Sequence, residues 1–122
     1  MMSNLELNLT YFSPKEFACK ETGENNMDSE FLLRLDKLRG ECGFPFRITS
    51  GYRSTEHSVE RKKPRPGTHT KGIAADIACT NSFERYKIIE EALKLGFTGI
   101  GIAKSFVHVD TRKDLPRTWV YS

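Results

Sequence analysis

IAADIA, residues 73–78, is apolar on both faces apart from the carboxylate of Asp76. A short apolar run of this kind predicts a buried strand. A second such run, FVHVD at residues 106–110, places His108 between two valines. A carboxylate or an imidazole in these surroundings is costly unless it is hydrogen-bonded, ion-paired or bound to a metal. The two runs therefore predict a sheet with polar groups built into it.

The sequence around these strands predicts two helices. The first follows the N-cap residue Asp28, carries apolar residues at helical spacing and ends within residues 40–43. The second runs from about residue 82 to residue 95, and Asn81 and Glu84 have the spacing of a capping box at its start.

Further strands are predicted at residues 46–50, 99–103 and 119–121, where β-branched and aromatic residues concentrate. Helices and strands mix without a strict β-α-β rhythm. We therefore expect an α+β fold with a small, mostly antiparallel sheet flanked by helices.

Length and composition exclude several classes of protein. With 122 residues and 13.9 kDa, residues 1–122 are expected to form a single domain, with residues 1–10 as a loose lead-in. The formal charge of +3 falls short of the clustered excess of a nucleic-acid-binding protein. No apolar run approaches the roughly 20 residues that span a bilayer. We expect a monomer that binds neither nucleic acid nor membrane.

The N-terminus and the cysteines indicate the cellular compartment in which the protein is made. Residues 1–8 have neither a basic region nor an apolar core typical of a secretory signal. The three cysteines, at positions 19, 42 and 79, form no CxxC pair and leave one thiol over in any pairing. Both observations predict synthesis in a reducing cytoplasm without a signal peptide.

Three side chains form a candidate metal site. If the strands containing Asp76 and His108 are near neighbours, the two side chains converge on one face of the sheet. His69 precedes Asp76 by seven residues, with Gly72 allowing a close turn between them. Two imidazole nitrogens and one carboxylate oxygen suit tetrahedral zinc with one position open for water, whose pKa the metal would lower. Taken alone, the residues also fit a hydrogen-bonded core histidine and an ion-paired aspartate.

Four blocks of sequence carry a family resemblance. HTKGIAAD at 69–76 matches the HxxGxAxD motif of the M15 zinc peptidases, which include D-alanyl-D-alanine carboxypeptidases and phage endolysins. SGYRS at 50–54 resembles the SGYR segment of that family. FVHVD at 106–110 and YFSPKEF at 11–17 resemble blocks of the family's carboxypeptidase-like A branch. The blocks occur in the family's order and span nearly the whole chain.

The resemblance implies the fold shared by D-Ala-D-Ala peptidases and the hedgehog signalling domain. It implies that His69, Asp76 and His108 bind Zn²⁺ and that Arg53 lies beside the scissile carbonyl, as an oxyanion-type donor. A surface salt bridge is the alternative for Arg53. The implied activity is hydrolysis of peptide bonds in the peptidoglycan stem peptide, as a D,D-carboxypeptidase or an L,D-endopeptidase, with metal-bound water as nucleophile.

The chain departs from the family pattern near the last zinc ligand. Many members carry an acidic general base three positions before that histidine, where this chain has Ser105, and a histidine two positions before it, where this chain has Phe106. Asp110 is the nearest acid on the same strand face. It is expected to act as the base, to orient a ligand, or to form a plain salt bridge. His57 is a candidate substrate contact, with a solvated loop histidine as the alternative.

These departures keep a second function open, a non-catalytic, zinc-stabilised module that binds cell wall or belongs to a phage structure. For the enzyme, we expect a phage or prophage product that is made in the cytoplasm and acts at the cell wall.

Overall fold

Both long helices begin at their predicted caps. In the computed structural model, which describes residues 8–57, 59, 62 and 67–121, helix α1 spans Ser29–Cys42 and helix α2 spans Ser82–Lys94. The Asp28 side chain accepts a hydrogen bond from the first turn of α1, and the Asn81 side chain does the same for α2. Capping by short polar side chains satisfies backbone donors that a helix start leaves unpaired. A short 3-10 helix, Pro14–Phe17, precedes them.

Five strands form one sheet within the described residues. They are β1 (Ile48–Ser50), β2 (Ala74–Ala78), β3 (Gly99–Ile102), β4 (Phe106–Asp110) and β5 (Arg117–Val120). Their spatial order is β1-β2-β4-β3-β5, and all neighbouring pairs are antiparallel except β3 and β5. The predicted α+β fold with a mostly antiparallel sheet is confirmed.

The first strand is shorter than the predicted 46–50 segment. It begins at Ile48, although the carbonyl oxygen of Arg47 still accepts a hydrogen bond from the N–H group of Ala78, and the ring of Phe46 packs in the core near Phe12 and Phe44. The last strand, predicted at 119–121, instead spans Arg117–Val120. It pairs in parallel with β3, which places Trp119 beside Gly101.

The two faces of the sheet differ in chemistry. On the face that packs against the helices, residues from β1, β2, β3 and β4 join one buried apolar core with α1 and α2. Its sheet members are Ile48, Ala75, Ile77, Ile100, Val107 and Val109. Since side chains alternate along a strand, the residues between them point to the other face. That face carries Asp76, His108 and Asp110.

The start of the described chain is hydrogen-bonded to helix α1. The buried carboxylate of Asp36 accepts hydrogen bonds from the backbone N–H groups of Thr10 and Tyr11, at 3.0 and 2.8 Å. Leu9 packs partly buried against the core. Residues 1–7 of the predicted lead-in lie outside the described residues. No helix in the described part of the chain has the length and apolar character that crossing a membrane requires.

Candidate metal centre

Asp76 and His108 are direct partners across the antiparallel pair of β2 and β4. The Oδ1 atom of Asp76 lies 3.0 Å from Nδ1 of His108. Both side chains are buried. The convergence that the sequence predicted therefore follows from the register of the two central strands.

His69 reaches the same carboxylate from the loop before β2. Its Nε2 atom lies 3.3 Å from Oδ1 of Asp76, and its Nδ1 atom lies 2.8 Å from the carbonyl oxygen of Gly51. The turn between them uses Gly72, which has a φ of 75°. A Cβ atom at that position would overlap the carbonyl oxygen of Asn26, so only glycine fits.

These three side chains fit a metal ion. One ligand atom from each of His69, Asp76 and His108 lies within 4.8 Å of the others, and all three residues are buried. Each also has an outer partner: a carbonyl oxygen for His69, Asp110 for His108, and the guanidinium of Arg53 for Asp76. Outer partners of this kind hold ligands in orientation at metal sites. Two nitrogens and one carboxylate oxygen form a donor set that suits zinc.

Asp110 lies behind His108, on the side remote from Asp76. Its Oδ2 atom lies 2.7 Å from Nε2 of His108, and the residue is fully buried. Arg112 donates to the same carboxylate from Nη2 at 2.6 Å and from Nε at 2.9 Å. The guanidinium of Arg112 in turn stacks on the indole ring of Trp119, 4.8 Å from its centre. Asp110 is thus enclosed by protein groups.

The hydrogen bonds of this cluster shift its pKa values. Burial opposes the ionisation of Asp76, but the hydrogen bonds from His108 and His69 outweigh it and hold the pKa of Asp76 well below its usual value. Burial is likewise outweighed at Asp110, where His108 and Arg112 lower the pKa. Burial disfavours the charged form of His108, yet the bonds to Asp110 and Asp76 raise its pKa. The two carboxylates therefore favour a positive charge at His108 or beside it, supplied by a proton on the imidazole or by a metal ion next to Asp76.

Two glycines of β3 leave space for the side chains that pack around His108. Gly99 is the partner of Asp110 and Gly101 is the partner of His108. A Cβ atom on Gly99 would overlap the Asp110 carboxylate, and one on Gly101 would lie 2.7 Å from Nε1 of Trp119. A larger residue at either position would displace a group that packs around His108.

Arg53 and His57 occupy different places. Arg53 follows β1, and its Nη2 atom lies 3.7 Å from Oδ2 of Asp76, with a fifth of the side chain exposed. His57 lies 3.2 Å from the carboxylate of Glu21 and lines a smaller cavity of about 200 Å³ that also includes Arg53. The structure thus brings Arg53 to the predicted ligands, while His57 lies one cavity away.

A cleft of about 850 Å³ opens over the three ligands. Trp119 and Tyr121 line it together with Phe106, and the ring of Trp119 lies 5.2 Å from that of His108. The sequence did not indicate Arg112, Trp119 or Tyr121 as site residues. No local pattern marks them, because the parallel pairing of β5 with β3 brings Trp119 to the cleft.

Comparison with known proteins agrees with this geometry. Among curated proteins, none matches the chain. The model of the Peptidase M15 family matches residues 10–110, which include all three candidate ligands, Arg53 and Asp110. The chain therefore belongs to the Peptidase M15 family, a family of metallopeptidases.

Proposed function

We propose that this protein is a zinc-dependent peptidase that hydrolyses peptide bonds in the stem peptide of peptidoglycan. The observation that carries the proposal is the arrangement around Oδ1 of Asp76, which faces a ring nitrogen of each of two histidines. Each ligand has its own outer partner, and a cleft large enough for a peptide lies above them. Family membership supports the peptidase activity.

The ligands define how the centre would hold its metal. Asp76 contributes the single negative charge, and His69 and His108 contribute neutral nitrogens. A bound Zn²⁺ would supply a Lewis acid that polarises a carbonyl group and lowers the pKa of a water molecule. Because the chain offers one negative charge in direct contact, most of the metal's charge remains available for that chemistry.

Arg53 positions the substrate in this proposal. Its guanidinium lies at the junction of the main cleft and the smaller cavity, within reach of Asp76 and partly exposed. A planar guanidinium donates two parallel hydrogen bonds to a carboxylate or a carbonyl oxygen. Arg53 would therefore hold the substrate oxygen next to the bond that is cleaved and stabilise the charge that develops there.

Asp110 acts as a positioning residue rather than as the general base. Its carboxylate is fully buried and bonded to His108 and Arg112, so it offers no free oxygen to the cleft. Its carboxylate accepts a hydrogen bond from the N–H group at Nε2 of His108, which leaves the lone pair of Nδ1 directed at the centre. Of the roles expected for Asp110, the geometry supports the orienting one.

Cleavage of muropeptides tests the proposal directly. Zinc-loaded protein is incubated with purified muropeptides between about pH 6 and 9, and products are identified by mass spectrometry. We expect loss of a terminal residue or an internal cut within the stem peptide, and no cut with His69→Ala. Stoichiometric zinc without cleavage of any amide bond would overturn the enzyme proposal.

A second candidate function is zinc-stabilised binding to cell wall without catalysis. Ser105, at the position of the usual general base, is an exposed residue between β3 and β4 and carries no acidic group. A pull-down with purified wall, using the wild type and Asp110→Asn, distinguishes the two functions. Retained binding without cleavage in either protein supports the non-catalytic module. For either function we propose the cell wall as the place of action and a phage or prophage as the source.

A further inference from the structure

The cleft carries an excess of positive charge before any metal binds. Its described lining includes four cationic side chains and two carboxylates. The cations are Arg53, Lys71, Arg112 and Lys113, and the carboxylates are Asp76 and Asp114. With a divalent ion at the centre, this excess increases further. A surface of this kind attracts an anionic ligand.

Two of these cations lie beyond the same end of the two central strands. Ala74 pairs with Asp110, and the N–H group of Thr111 donates to the carbonyl oxygen of Ile73, so the pairing continues past both strands. Lys71 comes two residues before Ile73, and Lys113 comes two residues after Thr111. Both lysines therefore lie at one edge of the cleft. Arg53, which follows β1, lies at a different edge.

Neither lysine has an ion-pair partner among the described residues, although Lys113 also borders a second cavity lined by Asp28 and Glu30. Arg112 is bonded to Asp110, and Asp114 is paired with Arg117 at 3.2 Å, while Lys71 and Lys113 are exposed and have no ion pair there. Like charges that share one edge of a cleft repel each other. A bound anion would offset the positive charge of both lysines.

We propose that Lys71 and Lys113 form a subsite for a carboxylate of the substrate that is not part of the bond cleaved. This inference rests on the proposed peptidase function. The ligand chemistry is an acidic peptide with a free carboxylate between its ends, as in a stem peptide whose D-glutamate keeps its α-carboxylate. A stem peptide in which that group is an amide lacks the charge and binds less well.

The subsite affects binding more than the rate of cleavage. Both lysines are exposed, so each ion pair contributes modestly, and we expect about a 5-fold preference for the acid over the amide. The preference concerns KM, because the carboxylate is not at the reacting atoms. It decreases at high salt, which screens exposed charges.

The test compares two synthetic peptides that differ in one group. One is L-Ala-γ-D-Glu-L-Lys-D-Ala-D-Ala, and the other carries an amide in place of the free α-carboxylate of D-Glu. KM and kcat are measured for zinc-loaded wild type and for the double variant Lys71→Gln, Lys113→Gln. Lys37→Gln, an exposed lysine of helix α1, is the matched control.

The expected result is a lower KM for the acid peptide that disappears in the double variant and persists in Lys37→Gln. Equal KM values for both peptides with wild type, or a preference that the double variant keeps, would overturn the subsite and leave the peptidase function standing. If neither peptide is cleaved, their dissociation constants are measured by calorimetry on the same proteins. An acid preference lost in the double variant then supports the subsite while the peptidase proposal fails, and its absence overturns both.

Discussion

Oδ1 of Asp76 lies 3.3 Å from Nε2 of His69 and 3.0 Å from Nδ1 of His108, so one oxygen atom faces both histidines. The other oxygen of Asp76 faces Arg53 at 3.7 Å. Oδ1 of Asp76 therefore faces the candidate metal position, and Oδ2 faces the side on which a substrate oxygen is expected.

Removing either histidine ligand should remove the metal. We expect His69→Ala and His108→Ala to lose most of their zinc and the thermal stabilisation that zinc gives, because two ligands remain of three. Metal analysis and melting curves with and without zinc measure this. His57→Ala, which changes a histidine outside the cluster, serves as the control. Wild-type zinc content in both ligand variants would contradict the site.

Asp110→Asn separates an orienting role from a general base. We expect zinc affinity to fall about 10- to 100-fold, because a neutral amide oxygen is a weaker acceptor than a carboxylate for the hydrogen bond from His108. When saturated with zinc, the variant should retain activity and the pH profile of the wild type. Loss of activity at unchanged zinc affinity would instead indicate that Asp110 acts as the base.

The ion pairs Asp110–Arg112 and Asp114–Arg117 should contribute differently to the stability of the protein. Arg112→Met leaves the buried Asp110 carboxylate with His108 as its remaining side-chain partner among the described residues, and we expect a loss of about 3 kcal/mol in the free energy of unfolding. Arg117→Met breaks an exposed pair with Asp114 and should cost less than about 1 kcal/mol. Urea denaturation of both variants measures the difference. Similar losses would show that Asp110 does not depend on Arg112.

Gly99→Ala should disturb the candidate metal centre, although Gly99 is not one of the candidate ligands. The new Cβ atom would occupy the place of the Asp110 carboxylate, so we expect lower stability together with weaker zinc binding. The control is Gly40→Ala in helix α1, where the nearest atom is a ring carbon of Tyr11 at 3.2 Å. Helix propensity favours alanine there by about 0.5–1 kcal/mol. Unchanged zinc affinity in Gly99→Ala would disprove the coupling.

The metal-free protein should be most stable at mildly acidic pH. The lowered pKa values of Asp76 and Asp110 give stability that is present above about pH 4, the unfolded pKa, and lost as the pH falls further. The raised pKa of His108 gives stability present below about pH 6.5 and lost as the pH rises through its folded pKa.

Urea unfolding in the presence of a chelator, from about pH 3 to 9, should therefore show a maximum between these limits. Zinc should move the maximum upward, because metal binding needs a deprotonated imidazole. A maximum that zinc does not move would contradict this account.

The sequence predicted the parts of the centre that local patterns encode. Asp76 and His108 stand out because each interrupts an apolar strand, and Asp28 and Asn81 mark the helix starts that the structure confirms. The family motifs linked His69 to these two residues. Membership of the M15 family is confirmed, and the assignment to its carboxypeptidase-like A branch stays a prediction.

Arg112 and Trp119 could not be recognised in the same way. Arg112 bonds to Asp110, two residues before it, and Trp119 packs beside Gly101, a contact that depends on how β5 returns to the sheet. A parallel edge strand reached by a short charged loop leaves no periodic signal. Likewise, no pattern in the sequence places Lys71 and Lys113 at one edge of the cleft.

The pairing of β2 with β4 has a consequence for the order in which the molecule is assembled. Before that pairing, the chain offers only His69 and Asp76 as near neighbours in sequence, while His108 follows Asp76 by 32 residues. A metal ion would therefore meet all three candidate ligands only once β2 and β4 have paired. Its binding would then oppose unfolding of the paired sheet rather than its formation.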